Sequence, residues 1–343
     1  MPNASIEPFP PAPPPQYGIT RLAPSPTGAL HLGNARTFLV NWALARRQGW
    51  RIVLRIEDLD GPRVKPEAIE SCVRTLAWLG IDWDIGPLIQ SEDLGPCEAA
   101  MGMLASRGLV YPCELSRSEI EAAASAPHDG ADAGGLAGGS GSGPAGSENR
   151  FPPELRPADL GPRPFDDPTT NWRFLTPPGE VTFDDRCAGP QRQNPGRDVG
   201  DFVVWTRRGQ PAYQLAVVVD DHRQGVTQVV RGDDLLGSAA RQLLLMRALG
   251  LGPEPTYTHL PLVVGEDGRR LAKRHGDTRL ATYRQTGVPA ERVIGLLGRW
   301  CGVVPGRAAM SAEEFCEGFD LASMPRDRVT FTEEDDGWLR QGS

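Results

Sequence analysis

Apolar residues recur along the chain in blocks that switch between a period of two and a period of three to four. Residues 17–23 carry strand formers and end at Pro24, Pro26 and Gly28, which forbid a continued strand. From Asn34 to Gln48, Ala35, Phe38, Leu39, Trp42 and Ala45 fall at spacings of three and four, predicting a helix with one apolar face. Residues 51–57 alternate at Ile52, Leu54 and Ile56, a second strand followed at once by Asp58 and Asp60. Residues 65–79 return to helical spacing, with Gly80 as the stop, and residues 94–107 predict a further helix ended by Gly108. Strand, helix and strand in this order predict a doubly wound, Rossmann-like parallel sheet of the α/β class, with ligands beyond the carboxyl ends of the strands.

The middle of the chain changes character. Residues 129–150 contain eight glycines among Ser, Ala and Pro, too little apolar area to offset the ordering entropy, and are expected to be flexible. Residues 171–175 and 180–184 predict short strands of an inserted α+β subdomain. Residues 202–206 predict a strand turned by Gly209. The almost wholly apolar YQLAVVV at 213–219 predicts a buried central strand ending in Asp220, Asp221 and His222. A β-rich stretch at 225–231, a helix at 238–249 stopped by Gly250, and a basic hairpin-like loop from Arg269 to Arg274 follow.

Composition narrows the function classes. A length of 343 residues gives a prior of roughly two domains. The net charge of −8 confines any nucleic-acid contact to local patches. Six cysteines at 72, 97, 113, 187, 301 and 316 form no CxxC pair, which fits reduced thiols in a cytoplasm. No run of about 18 apolar residues occurs and the Pro-rich start has no apolar h-region, so neither a membrane span nor a signal peptide is supported.

The chemistry concentrates where the first strand breaks into the first helix. A helix beginning at Gly33 or Asn34 aims backbone N–H groups and the positive end of its dipole at whatever the loop holds, which favours a phosphate, and His31 and Ser25 add donors. The string P-S-P-T-G-x-L-H-x-G resembles the HIGH region of class I glutamyl-type aminoacyl-tRNA synthetases, with Asn34 where the motif has its final His. Lys273 in RLAKRHG is similar to their second signature, the KMSKS loop. Alone, that string also reads as a solvated basic turn. A mobile loop bringing ammonium and guanidinium groups to departing pyrophosphate stabilises charge where it develops. Arg21, Glu57, Tyr213 and Arg231 cluster near predicted strand ends. Two guanidinium forks suit a ligand with two carboxylates, while Glu57 suits an ammonium and Tyr213 orients it. Each also has a structural alternative, as a strand-end ion pair or as packing.

From about residue 17 to 280, apart from the Gly-rich insertion, the chain resembles the glutamyl-Q tRNA(Asp) synthetases, short relatives of glutamyl-tRNA synthetase. The resemblance implies activation of glutamate with ATP without tRNA, then transfer to queuosine in the anticodon stem-loop of tRNA(Asp), with Mg2+ accompanying ATP. It implies Lys273 and His31 as catalytic residues. Arg21, Ala23, Ser25, Glu57, Tyr213 and Arg231 would hold glutamate; Pro24, Ser25, His31, Gly33, Asn34 and Lys273 would hold ATP. It further implies a disordered leader (1–16), a first catalytic half (17–110), an inserted subdomain (111–200), a second half with the KMSKS-like loop (201–290) and a short tail without an anticodon-binding domain (291–343). Family members often carry zinc on a Cys-x-Cys pair with a later Tyr and Cys. Here only Cys113 survives, against Leu115, Phe151 and Leu155, so zinc is not expected; His128 and Glu114 are weak substitutes. The alternatives are a truncated glutamyl-tRNA synthetase charging a 3′ end and a non-catalytic tRNA or nucleotide binder.

Overall fold

The computed structural model describes residues 18–26, 29–59, 66–116, 118–121, 150–269, 271 and 278–341. Its first part runs β1 (Ile19–Leu22), α1 (Leu32–Gln48), β2 (Arg51–Ile56), α2 (Pro66–Trp78), β3 (Ile85–Ile89) and α3 (Gly95–Ser106). Next come β4 (Val110–Cys113), β5 (Asn171–Phe174), β6 (Val181–Asp185), β7 (Gly189–Gln193), α4 (Pro195–Asp198), β8 (Phe202–Thr206) and β9 (Gln210–Pro211). The remainder is α5 (Tyr213–Arg223), β10 (Gln228–Gly232), α6 (Leu236–Leu249), β11 (Thr256–Leu260), β12 (Val263–Val264), α7 (Leu280–Gln285), α8 (Ala290–Trp300), α9 (Ala312–Gly318), β13 (Val329–Thr330) and α10 (Glu333–Arg340).

Seven strands form the large sheet in the order β3-β2-β1-β10-β11-β6-β7. All neighbours are parallel except the β6–β7 hairpin. The chain steps outward from β1 to β3, then re-enters on the other side of β1 with β10. That reversal opens a crevice between β1 and β10 at their carboxyl ends, the place where doubly wound sheets bind ligands. The α/β doubly wound class expected from the sequence is the class observed.

Strand pleating sorts the two faces. Leu22, Ile52, Leu54, Ile56 and Val230 share one core with α1, α2 and α8. Val229 and Tyr257 share the other with Leu215, Val218 and Val219 of α5 and with Leu243 and Met246 of α6. Adjacent residues of β10 therefore serve opposite cores, as a period of two requires.

Two expectations are corrected. Residues 213–219 are not a central strand but most of α5, whose residues 214–222 are all buried. A helix wrapped on all sides shows no polar stripe, so its apolar run cannot be told from a strand by periodicity, and packing overrides the β-preference of three valines. The central strand is β10 instead. The second correction concerns the inserted subdomain: β4, β5, β8 and β9 form a separate antiparallel sheet, while β6–β7, containing residues 181–184, joins the large sheet beside β11. The chain thus crosses between the two sheets four times, and position 200 does not divide them.

The expected short tail, residues 291–343, packs on the catalytic core. Val293, Ile294, Leu296, Leu297 and Trp300 of α8, with Phe315, Phe319 and Leu339, are buried in the first core. Capping boxes at Ser311/Glu314 and Thr332/Asp335 start α9 and α10. Gly295 is needed here, since a Cβ would lie 1.7 Å from the Ala308 carbonyl oxygen. The expected leader and nearly all of the Gly-rich stretch lie outside the described residues.

Candidate active site

The pleat that builds the cores also collects the polar residues. Arg21 in β1 pairs with Val53 in β2, and Arg231 in β10 pairs with His259 in β11. Odd-numbered positions of these strands therefore face the same side, toward α5. On that side stand Arg21, Arg55, Arg231 and His259, with Glu57 one residue beyond β2 and Asp185 at the end of β6.

Arg55 is fully buried and organises the left of the crevice. Its NH1 donates to Asp221 Oδ1 at 2.7 Å and to Gln224 Oε1 at 2.8 Å, and its NH2 donates to Glu57 Oε1 at 3.0 Å. Arg21 NH1 donates to the Val230 carbonyl at 3.3 Å, bridging β1 to β10. Its Nε lies 3.4 Å from Asp221 Oδ1, an ion pair without hydrogen-bond geometry, so that N–H has no protein acceptor among the described residues. Burial pushes the Glu57 carboxyl up, opposed by Arg55 and Arg21. The Glu57 backbone N–H meets the Pro24 carbonyl at 3.0 Å, fixing the Pro-rich loop to the end of β2. Tyr213 opens α5 at the mouth, 36 % exposed, and its electrostatic neighbours are Arg231, Glu57, Arg21 and Asp221. Four of the six residues expected to hold glutamate, Arg21, Glu57, Tyr213 and Arg231, come together.

Arg231 is held by three hydrogen bonds. Nε–H reaches His259 Nε2 at 2.9 Å, NH1 reaches Gln242 Oε1 at 2.9 Å, and NH2 reaches the Leu235 carbonyl at 3.3 Å. Its Cζ sits 5.2 Å from the Tyr257 ring centroid. His259 Nδ1 lies 2.6 Å from Asp185 Oδ2. Because Nε2 accepts, the proton is on Nδ1 and donates to Asp185. Burial, helped by the Arg231 charge and opposed by Asp185, lowers His259 to about 4. Burial would raise Asp185, but His259 and backbone N–H groups hold it at about 2.

A pH dependence follows with a definite sign. His259 takes up a proton near 6.5 when unfolded and near 4 when folded, so the unfolded state binds more protons between those values. Stability supplied by the neutral imidazole is complete above about pH 6.5 and is lost as pH falls through about 4. The expected loss is on the order of 3 kcal/mol. Urea unfolding of the wild type and His259→Gln from pH 7.5 to 4 checks it; parallel curves would rule out a buried neutral His259.

On the other side of the crevice, His31 caps α1. Its Nδ1 accepts from the Gly33 N–H at 3.1 Å, and Asn34 Oδ1 accepts from the His31 N–H at 3.1 Å. Asn34, the departure from the HIGH pattern, thus closes the cap. The expectation of open helix-start amides is corrected at two positions: Gly33 N–H serves His31, and Leu32 N–H reaches the Thr278 carbonyl at 3.3 Å. Lys273 lies outside the described residues, but the flanks of its segment are both beside α1. Leu280 N–H meets the Leu30 carbonyl at 2.9 Å, His31 bridges Arg279, and Leu271 N–H meets the Val263 carbonyl at 3.5 Å. A Cβ on Gly33 would stand 3.7 Å from Val263 Cβ. Of the remaining expected residues, Pro24 is buried, Ala23 half-buried and Ser25 exposed.

A sequence profile described as tRNA synthetases class I (E and Q), catalytic domain, matches residues 19–335. The chain belongs to this class I synthetase family. The glutamyl-Q tRNA(Asp) synthetase of Symbiobacterium thermophilum is 47% identical over 92% of this chain and 96% of its own. That of Rhodopirellula baltica is 46% identical over 86% and 88%. The glutamate–tRNA ligase of Nitrosomonas europaea is 36% identical, covering 94% of this chain but 66% of its own. The crystal structure of a glutamate tRNA ligase from Elizabethkingia meningosepticum, in complex with its amino acid, superposes with a TM-score of 0.74 at 26% identity, over 95% of this chain and 69% of that one.

Within this class I synthetase, the positions where zinc ligands were sought are packed with hydrocarbon. Cys113 and Phe151 are buried with Tyr111 and Ile120, and Leu115 and Leu155 pack against them. One sulfur among leucines and a phenylalanine does not fit a tetrahedral zinc. Glu114 is exposed, and His128 lies outside the described residues. Arg55, Asp185, Gln242 and His259 had no assigned role in the sequence-based site. Their signal is a charged, amide or imidazole side chain at an inward position of a strand or helix, which demands a partner.

Proposed function

We propose that the protein activates glutamate with ATP and transfers it to queuosine in the anticodon stem-loop of tRNA(Asp). The observation carrying this proposal is the convergence of Arg21, Glu57, Tyr213 and Arg231 on the crevice where the strand order reverses, in a chain coextensive with glutamyl-Q tRNA(Asp) synthetases. The guanidiniums of Arg21 and Arg231 take the two carboxylates of glutamate, and Glu57, held by Arg55, accepts from its ammonium. A carboxylate oxygen of glutamate attacks the α-phosphorus of ATP, and the bond to pyrophosphate breaks. A nucleophile of queuosine then takes the glutamyl group and AMP leaves. Among the described residues no group of three or more His, Cys, Asp and Glu could hold a metal ion. Mg2+ would enter with the ATP phosphates, its usual mode of binding. No helix among the described residues is long and apolar enough to cross a membrane.

ATP–pyrophosphate exchange tests the first half: it should require glutamate, reject glutamine and proceed without tRNA. Exchange with glutamine as fast as with glutamate would defeat the two-arginine pocket. Lys273→Ala is expected to lower the exchange kcat by about two to three powers of ten, the usual effect of one such electrostatic group, with little change in the glutamate KM. An unchanged rate would remove Lys273 from the reaction.

A further inference from the structure

Arg231 spends three of its five N–H donors inside the protein, on His259, Gln242 and the Leu235 carbonyl. One N–H is left on each terminal nitrogen, two donors for the two oxygens of a carboxylate. Which two are left depends on Nε being held, and Nε is held only if His259 Nε2 carries a lone pair. Arg231 sits in the row Asp185, His259, Arg231 across β6, β11 and β10, with all three residues 5 % exposed or less.

We propose that Asp185 and His259 are positioning residues that set the affinity for the substrate carboxylate by locking one imidazole tautomer behind Arg231. This rests on the reading of the crevice as a glutamate site. Asp185 Oδ1 accepts from the backbone N–H groups of Cys187 at 2.9 Å and Ala188 at 2.7 Å, and the His259 backbone N–H is shared, 3.1 Å from both Oδ1 and Oδ2. Only Oδ2 reaches the imidazole Nδ1. The Cys187 and Ala188 N–H groups fix the orientation of the carboxylate, and they would fix an amide in its place the same way, with the carbonyl oxygen at Oδ1, still accepting from the His259 backbone N–H, and the NH2 toward the imidazole. Asp185→Asn therefore turns an acceptor into a donor at Nδ1 without changing shape. The imidazole answers by moving its proton to Nε2, where it opposes the Nε–H of Arg231. In serine proteases, exchanging the buried aspartate of the triad for asparagine likewise leaves the histidine in the wrong tautomer. Here the reporter is an arginine.

In glutamate-dependent exchange, Asp185→Asn is expected to raise the glutamate KM roughly 10- to 100-fold, the usual effect of one lost charge-assisted contact. The ATP KM should stay within about twofold and kcat within about fivefold, a split that general destabilisation would not give. His259→Gln, which can present an oxygen where Nε2 was and an amide N–H toward Asp185, should keep the glutamate KM within about threefold of wild type, whereas His259→Phe should behave as Asp185→Asn. Equal KM values for His259→Gln and His259→Phe would overturn the proposal, and so would a wild-type KM in Asp185→Asn. The tautomer is read independently of any substrate by imidazole 15N shifts, expected as Nδ1–H in the wild type and Nε2–H in Asp185→Asn. A protein with the expected tautomers but no exchange would sink the glutamate reading and leave the relay standing; an Nε2–H wild type would sink the relay.

Discussion

Replacing Arg55 by leucine is expected to cost about 3 to 5 kcal/mol of stability, the penalty for removing one partner from a buried ion cluster. Arg55 has no exposed surface, and it neutralises both Asp221 and Glu57. Without it, two carboxylates remain in the crevice, and among the described residues Arg21, 3.4 Å from Asp221, is the one other cation paired with either. Burial depresses a guanidinium, yet here Asp221, Glu57 and Asp220 outweigh it and raise Arg55 further above its ordinary value. The denaturation midpoint should fall at unchanged slope. Arg55→Leu with Asp221→Leu should recover part of the stability, because one orphaned charge goes with its partner, while glutamate-dependent exchange stays lost because Glu57 has lost its anchor. A loss below about 1 kcal/mol in the single variant would mean that water reaches the cluster and screens it.

What could be read from the sequence, and what could not, divides along the pleat. Residues at strand ends with ligand-like chemistry, Arg21, Glu57 and Arg231, were recognisable because a resemblance named them. Their supports were not, since Arg55 and Asp221 are 166 positions apart and His259 and Asp185 are 74 apart. Nothing local records those pairings. Arg55 still leaves a trace: in RIVLRI it occupies the face opposite Ile52, Leu54 and Ile56, and a cation there must find carboxylates. His259 leaves a similar trace inside the strand THL. The helix α5 was missed for the reason that makes it useful. Buried on every side, it carries Asp220 and Asp221 into the core, where Gln90 and Arg223 hold the first and Arg55 the second. A polar stripe would have revealed the helix but would have exposed those carboxylates. Asn34 shows the converse, a motif departure whose local geometry explains it as a cap.

Labelled glutamate is expected to enter queuosine-containing tRNA(Asp) and to leave the same tRNA prepared without queuosine unlabelled. The helices α8 to α10, with the segments between them, bury Trp300, Phe315, Phe319 and Leu339 in the same core as α1 and α2. With a net charge of −8, the chain has no large electrostatic footprint for a whole tRNA, and RNA contact must rely on local basic groups. Exposed Arg207 and Arg208, at the turn between β8 and β9 just ahead of Tyr213, are such groups. A single-stranded loop suits this surface better than a duplex does, because its splayed bases can enter a pocket one at a time. On the proposed function, the glutamyl group formed between Arg21 and Arg231 would meet a modified base brought to the mouth beside Tyr213. Transfer should therefore depend on the modification in an all-or-none way, while exchange without tRNA is indifferent to it. Efficient charging of tRNA(Glu), with queuosine making no difference to tRNA(Asp), would assign the same crevice to 3′-end aminoacylation instead.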